Sequence, residues 1–442
     1  MSKKHMLLLA AAVVLVICWP VSAFDLTEFG LQPAENYDFG GATVTIISWT
    51  SDRIPGYFEN YLPVVDRIAE AEAAFNCKID FLYTREIPEM NFARLLAGES
   101  VNDLWHVQNK IGYWELVSGG AVYDVYELLG EEYYAMLPPS FIATEEALKY
   151  EGKYWGIGTM EWRPTYGYQN DIMFVAYNKD LFEREGLPDL YELYLDGEWT
   201  WDMATEIAVK ATQDIDGDGV VDIWGIVDAR PWDLAVANGA TMTKVDETGR
   251  IVFAADEPAY LEALEQCYQW WTELGVQMPS YGSGDLRTAF TSGRAAMYFS
   301  VSAYNLPDRI NDVVDDWGIV PFPKGPSTDR HHWTVQALNT TVIPVNAENP
   351  EALAALRCFL WREEDVELND FLATHAHSQQ AAEVLLTANR EWDGTASSLF
   401  QPFSDGYGQL TRDVQSGSKS AAAAMAEIKP VIQGRLDDLF GQ

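Results

Sequence analysis

The stretch from Tyr177 to Gly225 reads YNKDLFEREGLPDLYELYLDGEWTWDMATEIAVKATQDIDGDGVVDIWG. The hydrophobic residues 172–177 that enter it predict a strand. A short helix is expected next, with Asn178 as its N-cap and Gly186 just past its end. A strand followed directly by a capped helix is the repeating unit of an α/β layer, so this stretch favours an α/β fold.

A second helix is predicted to begin after Thr200, its N-cap, with Asp202 in the first turn where the helix dipole favours an anion. It ends in an acidic loop with the spacing of calcium ligands, namely Asp214, Asp216, Asp218, the Val220 carbonyl and Asp222. The twelfth position is Gly225 rather than a bidentate glutamate, so calcium would need another donor or water. An Asx-rich turn without metal is the alternative.

Three pieces of this stretch, taken in order, carry a resemblance. YNKDLFEREGLP, GEWTWDMATEIAVK and DIDGDGVVDIWG closely resemble a signature of the extracellular solute-binding proteins of carbohydrate ABC transporters, the maltose-binding-protein-like family 1. The resemblance implies a two-lobe, periplasmic-binding-protein-like α/β fold of the class II type, hinged around a ligand cleft. It also implies a sugar or oligosaccharide ligand, a membrane permease as partner, a monomer and no required cofactor. A structural calcium ion is a candidate only on the spacing of the acidic loop.

The rest of the chain continues the alternation of strands and helices. Residues 42–49, 78–84 and 103–107 are rich in β-branched and apolar residues and read as strands, with helical patterns between them. Such alternation favours a mostly parallel sheet, whose ligands lie at the carboxyl ends of the strands. Farther on, Asp256 is predicted to cap a helix whose buried face is Leu261, Leu264, Tyr268 and Trp271.

The resemblance also gives a division of the chain. After a signal peptide predicted at 1–23, it implies a first lobe at 24–172 with a return segment at 328–380, and a second lobe at 173–327. Residues 381–442 are expected to be helical and to belong mainly to the second lobe.

The charge of the chain limits its partners. Its 442 residues include 29 basic and 67 acidic side chains, a formal net charge of -38. Such a balance repels nucleic acid and anionic membrane surfaces, and it suits a protein that works outside the cytoplasm. Because an acidic surface also serves solubility, the charge does not identify a ligand.

The amino terminus has the pattern of a secretory signal peptide. Lys3 and Lys4 precede the apolar residues 6–18, and the small residues of Val21–Ala23 offer a cleavage site. We therefore expect a secreted or periplasmic protein. Lipid anchoring at Cys18 is the alternative, since the preceding residues resemble a lipoprotein box, although the residue just before the cysteine is not small.

Three cysteines follow the predicted signal peptide. Cys77, Cys267 and Cys358 lie in stretches that read as helical, and an odd number does not suit a disulfide framework. Buried, unpaired thiols are therefore favoured over disulfides. No Cys/His spacing indicates a zinc site.

Sugar recognition needs aromatic faces that stack on the ring and polar groups that satisfy the hydroxyls. By resemblance, the aromatic candidates are Trp49, Trp162, Trp232, Tyr304, Trp333 and Tyr407. The polar candidates in the matching loops are Asp52, Arg53, Asn109, Lys110 and Asp171. The alternative for each aromatic residue is a place in the core, and for each polar residue a solvated surface.

Two other classes of function remain open on the sequence. A secreted glycoside hydrolase or lyase would need two carboxylates across a cleft, and acidic residues are plentiful. The sequence contains no GxSxG, HExxH or Walker signature, so we predict that the protein is not an enzyme. A sugar-sensing subunit of a receptor would have the same fold as a transport protein.

Overall fold

The structure contains two four-stranded sheets covered by helices, which form the two predicted lobes, and a small antiparallel sheet of two strands. It is a computed structural model that describes residues 25–48, 62–137, 139–158, 172–279, 284–302, 310, 316–360, 372–373, 375–395 and 404–441. Within these residues no helix is both long and apolar enough to cross a membrane.

The elements follow one another along the chain as strands and helices with short connections. The strands are β1 Thr43–Ser48, β2 Lys78–Tyr83, β3 Asp103–Gln108, β4 Met173–Asn178, β5 Trp224–Val227, β6 Thr243–Val245, β7 Ile251–Phe253, β8 Ala295–Ser302, β9 Trp317–Val320 and β10 Asn339–Val342. The helices are α1 Leu62–Ala74, α2 Ile87–Leu96, α3 Tyr113–Ser118, α4 Val125–Met136, α5 Pro139–Ala147, α6 Lys179–Glu185, α7 Leu190–Leu195, α8 Trp201–Ala211, α9 Pro231–Ala237, α10 Pro258–Tyr268, α11 Gly284–Thr291, α12 Pro350–Leu360, α13 Gln379–Glu391, α14 Ser404–Gln415 and α15 Ala421–Phe440.

The sheet of the first lobe has the strand order β10-β3-β1-β2. β1 is parallel to β2 and β3, whereas β10 is antiparallel to β3. Side chains alternate across β1: Val44 and Ile46 enter one hydrophobic cluster and Ile47 enters the other. Helices therefore cover both faces of this sheet, as expected for parallel strands.

The sheet of the second lobe has the order β5-β8-β4-β9. β5 and β8 are parallel, and β4 is antiparallel to both of its neighbours. Every residue of β4, β8 and β9 is buried, which explains why these strands are continuous apolar runs without alternation.

The predicted caps around β4 are confirmed. The Asn178 side chain accepts a hydrogen bond of 2.8 Å from the Leu181 backbone N–H, and α6 ends at Gly186 with φ 62°. Thr200 Oγ1 accepts from the Met203 N–H at 3.3 Å and caps α8. Between them, α7 is an additional helix, capped by the side chain of Asp189.

One predicted helix face is wrong. The N-cap of α10 is Glu257 rather than Asp256, and its buried residues are Tyr260, Ala263, Leu264 and Cys267. Leu261 and Tyr268 are only partly buried. Two apolar stripes overlap on this helix, and the contacts with α9, α14 and α15 determine which of them is covered.

The described ends of the two segments that connect the sheets, which we call the crossings, pair with each other. Ile157 pairs with Thr341 at the first sheet, and Ile172 pairs with Val335 at the second. β10 begins opposite the last residue of β3, and β4 begins opposite the last residue of β8. Both crossings therefore meet the sheets at the carboxyl ends of β3 and β8. In each lobe, the carboxyl ends of the parallel strands lie beside these crossings.

The C-terminal helices complete the packing. α15 lies against β7, α10 and α14 and also contacts α3 of the first lobe, where the Phe440 ring is 5.8 Å from Trp114. Cys77, Cys267 and Cys358 are free and buried, as predicted. The residue numbers predicted for the lobe boundaries remain a prediction.

Candidate functional site

The polar residues at the carboxyl ends of the strands form the candidate site. In α/β sheets this edge is where ligands bind, because the strands end there and the loops that follow are free to present side chains. Trp49, Asp52, Arg53, Trp162, Asp171 and Tyr304 were predicted to line it, and all of them lie outside the described residues.

Asn109 and Lys110 follow β3 directly at this edge. The Asn109 side-chain oxygen accepts a hydrogen bond of 2.9 Å from the Leu338 N–H, and its own N–H donates to the Leu338 carbonyl at 2.8 Å. Asn109 is buried and Lys110 is half-buried. Asn109 therefore joins the end of β3 to the crossing that precedes β10, and a ligand contact by either residue remains a prediction.

On the second lobe, the chain leaves β5 in an unusual conformation. Asp228 has φ 59°, the left-handed region that L side chains other than asparagine and aspartate rarely adopt. Two residues later, the Arg230 guanidinium donates to both Asp228 oxygens, from Nε at 2.9 Å and from Nη2 at 2.6 Å. This two-point geometry fixes the plane of the guanidinium.

A second left-handed residue, Ser300, lies in the neighbouring strand β8. Ser300 has φ 56°, and the pairing of β8 with β4 shifts register at this point. The bulge directs the Ser300 hydroxyl to Asp233 Oδ2, to which it donates at 2.6 Å. Such strain occurs mainly at functional sites. We call Asp228, Arg230, Asp233 and Ser300 the lobe-2 polar cluster.

The lobe-2 polar cluster is charged and largely removed from water. Asp228, Asp233 and Ser300 are buried, and the Arg230 side chain is 11% exposed. Burial acts against the charge of Arg230, but the bonded Asp228 outweighs it, and together with Asp233 and Tyr298 it raises the pKa of the guanidinium. Arg230 therefore stays charged.

Trp232 lies beside this cluster in the first turn of α9. It is half-buried, packs on the main hydrophobic cluster, and its ring centroid is 6.0 Å from that of Tyr407. Tyr407 is itself buried, and its hydroxyl lies 2.7 Å from that of Tyr260. Trp232 thus has a partly exposed aromatic surface and a firm support behind it.

Trp333 is buried, and its Nε1 donates to Glu391 at 3.2 Å. Its ring packs against Phe174 at 6.0 Å. In the described conformation Trp333 and Tyr407 are therefore packing residues, and a role for either as a ligand contact remains a prediction.

The acidic loop lies between α8 and β5, at the amino-terminal end of β5. The lobe-2 polar cluster lies at the other end of this strand. One oxygen from each of Asp214, Asp216 and Asp218 lies within 4.8 Å of the other two, and all three side chains are exposed. The Asp214 carboxylate accepts from the N–H groups of Gly217 at 2.8 Å and Gly219 at 2.9 Å. These bonds leave lone pairs on each carboxylate, so the donor set fits a hard cation.

A buried polar cluster holds the start of the first crossing. Glu145 of α5 accepts from the Gly158 N–H at 2.7 Å. Arg357 of α12 donates from Nη2 to the carbonyls of Ile157 and Gly158, both at 3.0 Å, and from Nε to Thr341 at 3.2 Å. Three elements of the first lobe thus fix the last described residues before the chain crosses.

The ionisable groups of this cluster have shifted pKa values. Burial raises the pKa of Glu145 to about 7, although the hydrogen bond from Gly158, the nearby Tyr134 hydroxyl and the charge of Arg357 lower it. Burial, with a smaller effect of Arg357, lowers the pKa of His106 to about 3. Arg357 is also buried, and desolvation lowers its pKa.

The sequence-based prediction included Trp232 but missed Asp228, Arg230, Asp233 and Ser300. A signal for three of them was present: VDARPWD, residues 227–233, follows a buried strand directly, where polar side chains reach the ligand edge. Ser300 carried no such signal, since it belongs to an apolar strand and is turned toward Asp233 by the bulge.

The comparisons with known proteins agree with this architecture. Residues 115–363 match the family of bacterial extracellular solute-binding proteins. No curated protein matches the sequence at a significant level.

Similar solved structures cover nearly the whole chain. A solute-binding protein from Agrobacterium radiobacter in complex with ribitol has a TM-score of 0.62 and 16% identity, covering 92% of this chain and 100% of its own. A maltose/maltodextrin-binding domain from Bdellovibrio bacteriovorus bound to maltotriose has a TM-score of 0.61 and 16% identity, covering 90% and 100%. UgpB from Mycobacterium tuberculosis, in complex with glycerophosphocholine, has a TM-score of 0.61 and 15% identity, covering 91% and 99%. At these identities the likeness shows a shared two-lobe fold.

Proposed function

This chain belongs to the bacterial extracellular solute-binding proteins, and from that membership we propose that it binds a sugar or oligosaccharide and delivers it to an ABC transporter permease. The ligand would lie between the lobes, and its contacts with both would favour the closed form. The permease would recognise that form. No covalent change of the ligand is required.

The lobe-2 polar cluster beside Trp232 carries this proposal. Sugar hydroxyls both donate and accept hydrogen bonds, so they need charged donors and acceptors side by side. Arg230 supplies N–H donors on a side chain that is 11% exposed, and the buried carboxylates of Asp228 and Asp233 hold it in place and keep it charged. Trp232 offers an aromatic surface for the apolar face of a sugar ring.

Binding is favoured over hydrolysis by the state of the two carboxylates. Asp228 is held at both oxygens by Arg230, and Asp233 accepts from Ser300. Acid–base catalysis needs carboxylates that exchange protons with the substrate or with water. Carboxylates that are buried and fixed in this way are better suited to holding Arg230 than to acid–base catalysis.

The test is a thermal-shift screen of the purified protein against monosaccharides and oligosaccharides, with chromatography of the recovered sugar. A ligand at a hundred times its dissociation constant adds about 2.7 kcal/mol to the free energy of unfolding. We expect an oligosaccharide to stabilise the protein and to be recovered unchanged. Cleavage at about 1 per second or faster would show a hydrolase.

We also propose that the acidic loop binds a calcium ion. Asp214, Asp216 and Asp218 would supply one oxygen each, with the Val220 carbonyl and Asp222 completing the set. Their close approach is unfavourable without a cation, because like charges repel. Since the loop lies at the end of β5 away from the candidate site, calcium would stabilise the second lobe without contacting the sugar.

The place of action follows in outline from the family, which is extracellular. We propose a free, secreted monomer released by cleavage after Ala23. A lipid anchor at Cys18 is the alternative, and mass spectrometry of the mature amino terminus distinguishes the two.

A further inference from the structure

Arg230 has more donors than the protein uses. A guanidinium carries five N–H groups. Among the described residues it makes hydrogen bonds only to Asp228, through one N–H of Nε and one of Nη2, and three N–H groups remain. A side chain that is 11% exposed gives these groups little contact with water, so a ligand that accepts from them would be strongly favoured.

The backbone around Arg230 is fixed as well as the side chain. Gln277, which is buried, donates from Nε2 to the Ala229 carbonyl at 3.0 Å. The left-handed Asp228 turns the chain so that its carboxylate meets the guanidinium two residues later. The free donors therefore have a fixed direction before any ligand arrives, which reduces the entropy cost of binding.

The charges of the cluster indicate which kind of acceptor group those N–H donors would bind. Asp228 already neutralises Arg230, and Asp233 places a second carboxylate near the guanidinium. The lobe-2 polar cluster thus has two carboxylates and one guanidinium, in a chain with a net charge of -38. An anionic group brought to Arg230 would meet like charges at short range, whereas a hydroxyl oxygen would not.

We propose that Arg230 is the specificity-determining residue of the second lobe: it donates to neighbouring hydroxyl oxygens of an uncharged carbohydrate and, with Asp228 and Asp233, excludes uronic acids and other anionic sugars. This inference rests on the proposed function and adds the charge class of the ligand. Asp228 is the positioning residue, because it acts by holding the guanidinium plane.

The first experiment uses the full-length mature protein. Thermal shift and calorimetric titration compare the neutral sugars maltotriose, cellotriose and mannotriose with trigalacturonate at equal concentration and low ionic strength. We expect at least one neutral trisaccharide to bind and trigalacturonate to bind at least a hundredfold more weakly. Tighter binding of trigalacturonate overturns the inference and leaves the proposed function standing, whereas binding of no carbohydrate overturns both.

The second experiment measures the affinity of the best trisaccharide for three variants. Arg230→Gln loses the charged N–H donors, and we expect it to bind the sugar about a hundredfold more weakly. Arg230→Lys keeps the positive charge but lacks the planar, forked arrangement of N–H donors, and we expect its affinity for the sugar to fall about tenfold. Arg287→Gln changes an exposed arginine of α11 and should bind like the wild type. Melting curves without ligand show whether each variant is folded. Folded Arg230 variants with the affinity of the Arg287 control overturn the inference.

Discussion

The Glu145 carboxylate accepts a hydrogen bond of 2.7 Å from the backbone N–H of Gly158, the last described residue before the first crossing. Glu145 is buried on α5, and Arg357 of α12 holds the carbonyls of Ile157 and Gly158 from the other side. A carboxyl and a guanidinium side chain thus fix one peptide segment where the lobes connect. The backbone N–H and C=O groups of this segment lie in an apolar surrounding, and the two side chains provide the hydrogen bonds that these groups need.

The first prediction concerns pH. Burial raises the pKa of Glu145 from 4.5 to about 7, so the folded state holds this proton more tightly than the unfolded state. Its contribution to stability is fully present below pH 4.5 and is lost as the pH rises through about 7. A difference of about 2.5 pKa units corresponds to about 3 kcal/mol. We expect urea unfolding from pH 4 to 8 to show this loss in the difference between the wild-type curve and the curve of Glu145→Gln.

The comparison with a variant is needed because the titration of His106 changes the stability with pH in the opposite direction. Its pKa is lowered to about 3 by burial, so its contribution is present above about pH 6.5 and is lost as the pH falls. Subtracting the curve of Glu145→Gln isolates the carboxyl group. Glu131→Gln, which changes an exposed glutamate of α4, is the control. Parallel curves for the wild type and Glu145→Gln would contradict the pKa assigned to Glu145.

The parts of the fold with local signals could be predicted from the sequence. The cap of α6 by Asn178 and that of α8 by Thr200 depend on contacts within three residues, and both are present in the structure. The buried face of α10 could not be predicted, because two apolar stripes were available and tertiary contacts selected the one with Tyr260 and Cys267. Local chemistry determines where an element begins, and packing determines which way it faces.

The candidate site also contains features that the sequence predicts and features that depend on tertiary contacts. Trp232 could be proposed because an aromatic residue at a helix start is visible in the sequence. The position of Arg230 directly after a buried strand was visible in the sequence, but its role was not, since that role depends on a left-handed Asp228 that holds the plane of the guanidinium. Ser300 joins through a bulge in β8, 67 residues from its partner Asp233. Neither feature leaves a pattern in a single sequence.

The second prediction concerns Asn109. Replacing it with alanine leaves the buried Leu338 N–H without its acceptor, and such a loss costs about 1–3 kcal/mol. We expect guanidinium unfolding to show this decrease for Asn109→Ala. Asn36→Ala, at an exposed asparagine, should change the free energy of unfolding by less than about 0.5 kcal/mol. Unchanged stability of Asn109→Ala would contradict this role of Asn109 in holding the Leu338 N–H.

The third prediction concerns the acidic loop. If calcium binds there, adding millimolar calcium to chelator-treated protein should raise the melting temperature, because the ion binds the folded loop preferentially. Asp216→Asn removes one of three clustered carboxylates and should reduce this increase, with sugar affinity unchanged. Asp438→Asn changes an exposed aspartate of α15 and should respond to calcium like the wild type. A melting temperature that is the same with calcium and with chelator would show that the loop is only a turn.

The last prediction separates stacking from packing at Trp232. Trp232 lies at the ligand edge after β5, and Trp224 lies at the other end of the same strand; both are half-buried and pack on the same hydrophobic cluster. Truncation to alanine should therefore destabilise both variants to a similar extent. Only Trp232→Ala should also weaken sugar binding, on the order of a hundredfold, because a stacked ring contributes both its buried area and its aromatic contact. Calorimetric titration beside melting curves measures both effects. Equal affinities in the two variants would assign Trp232 to the core.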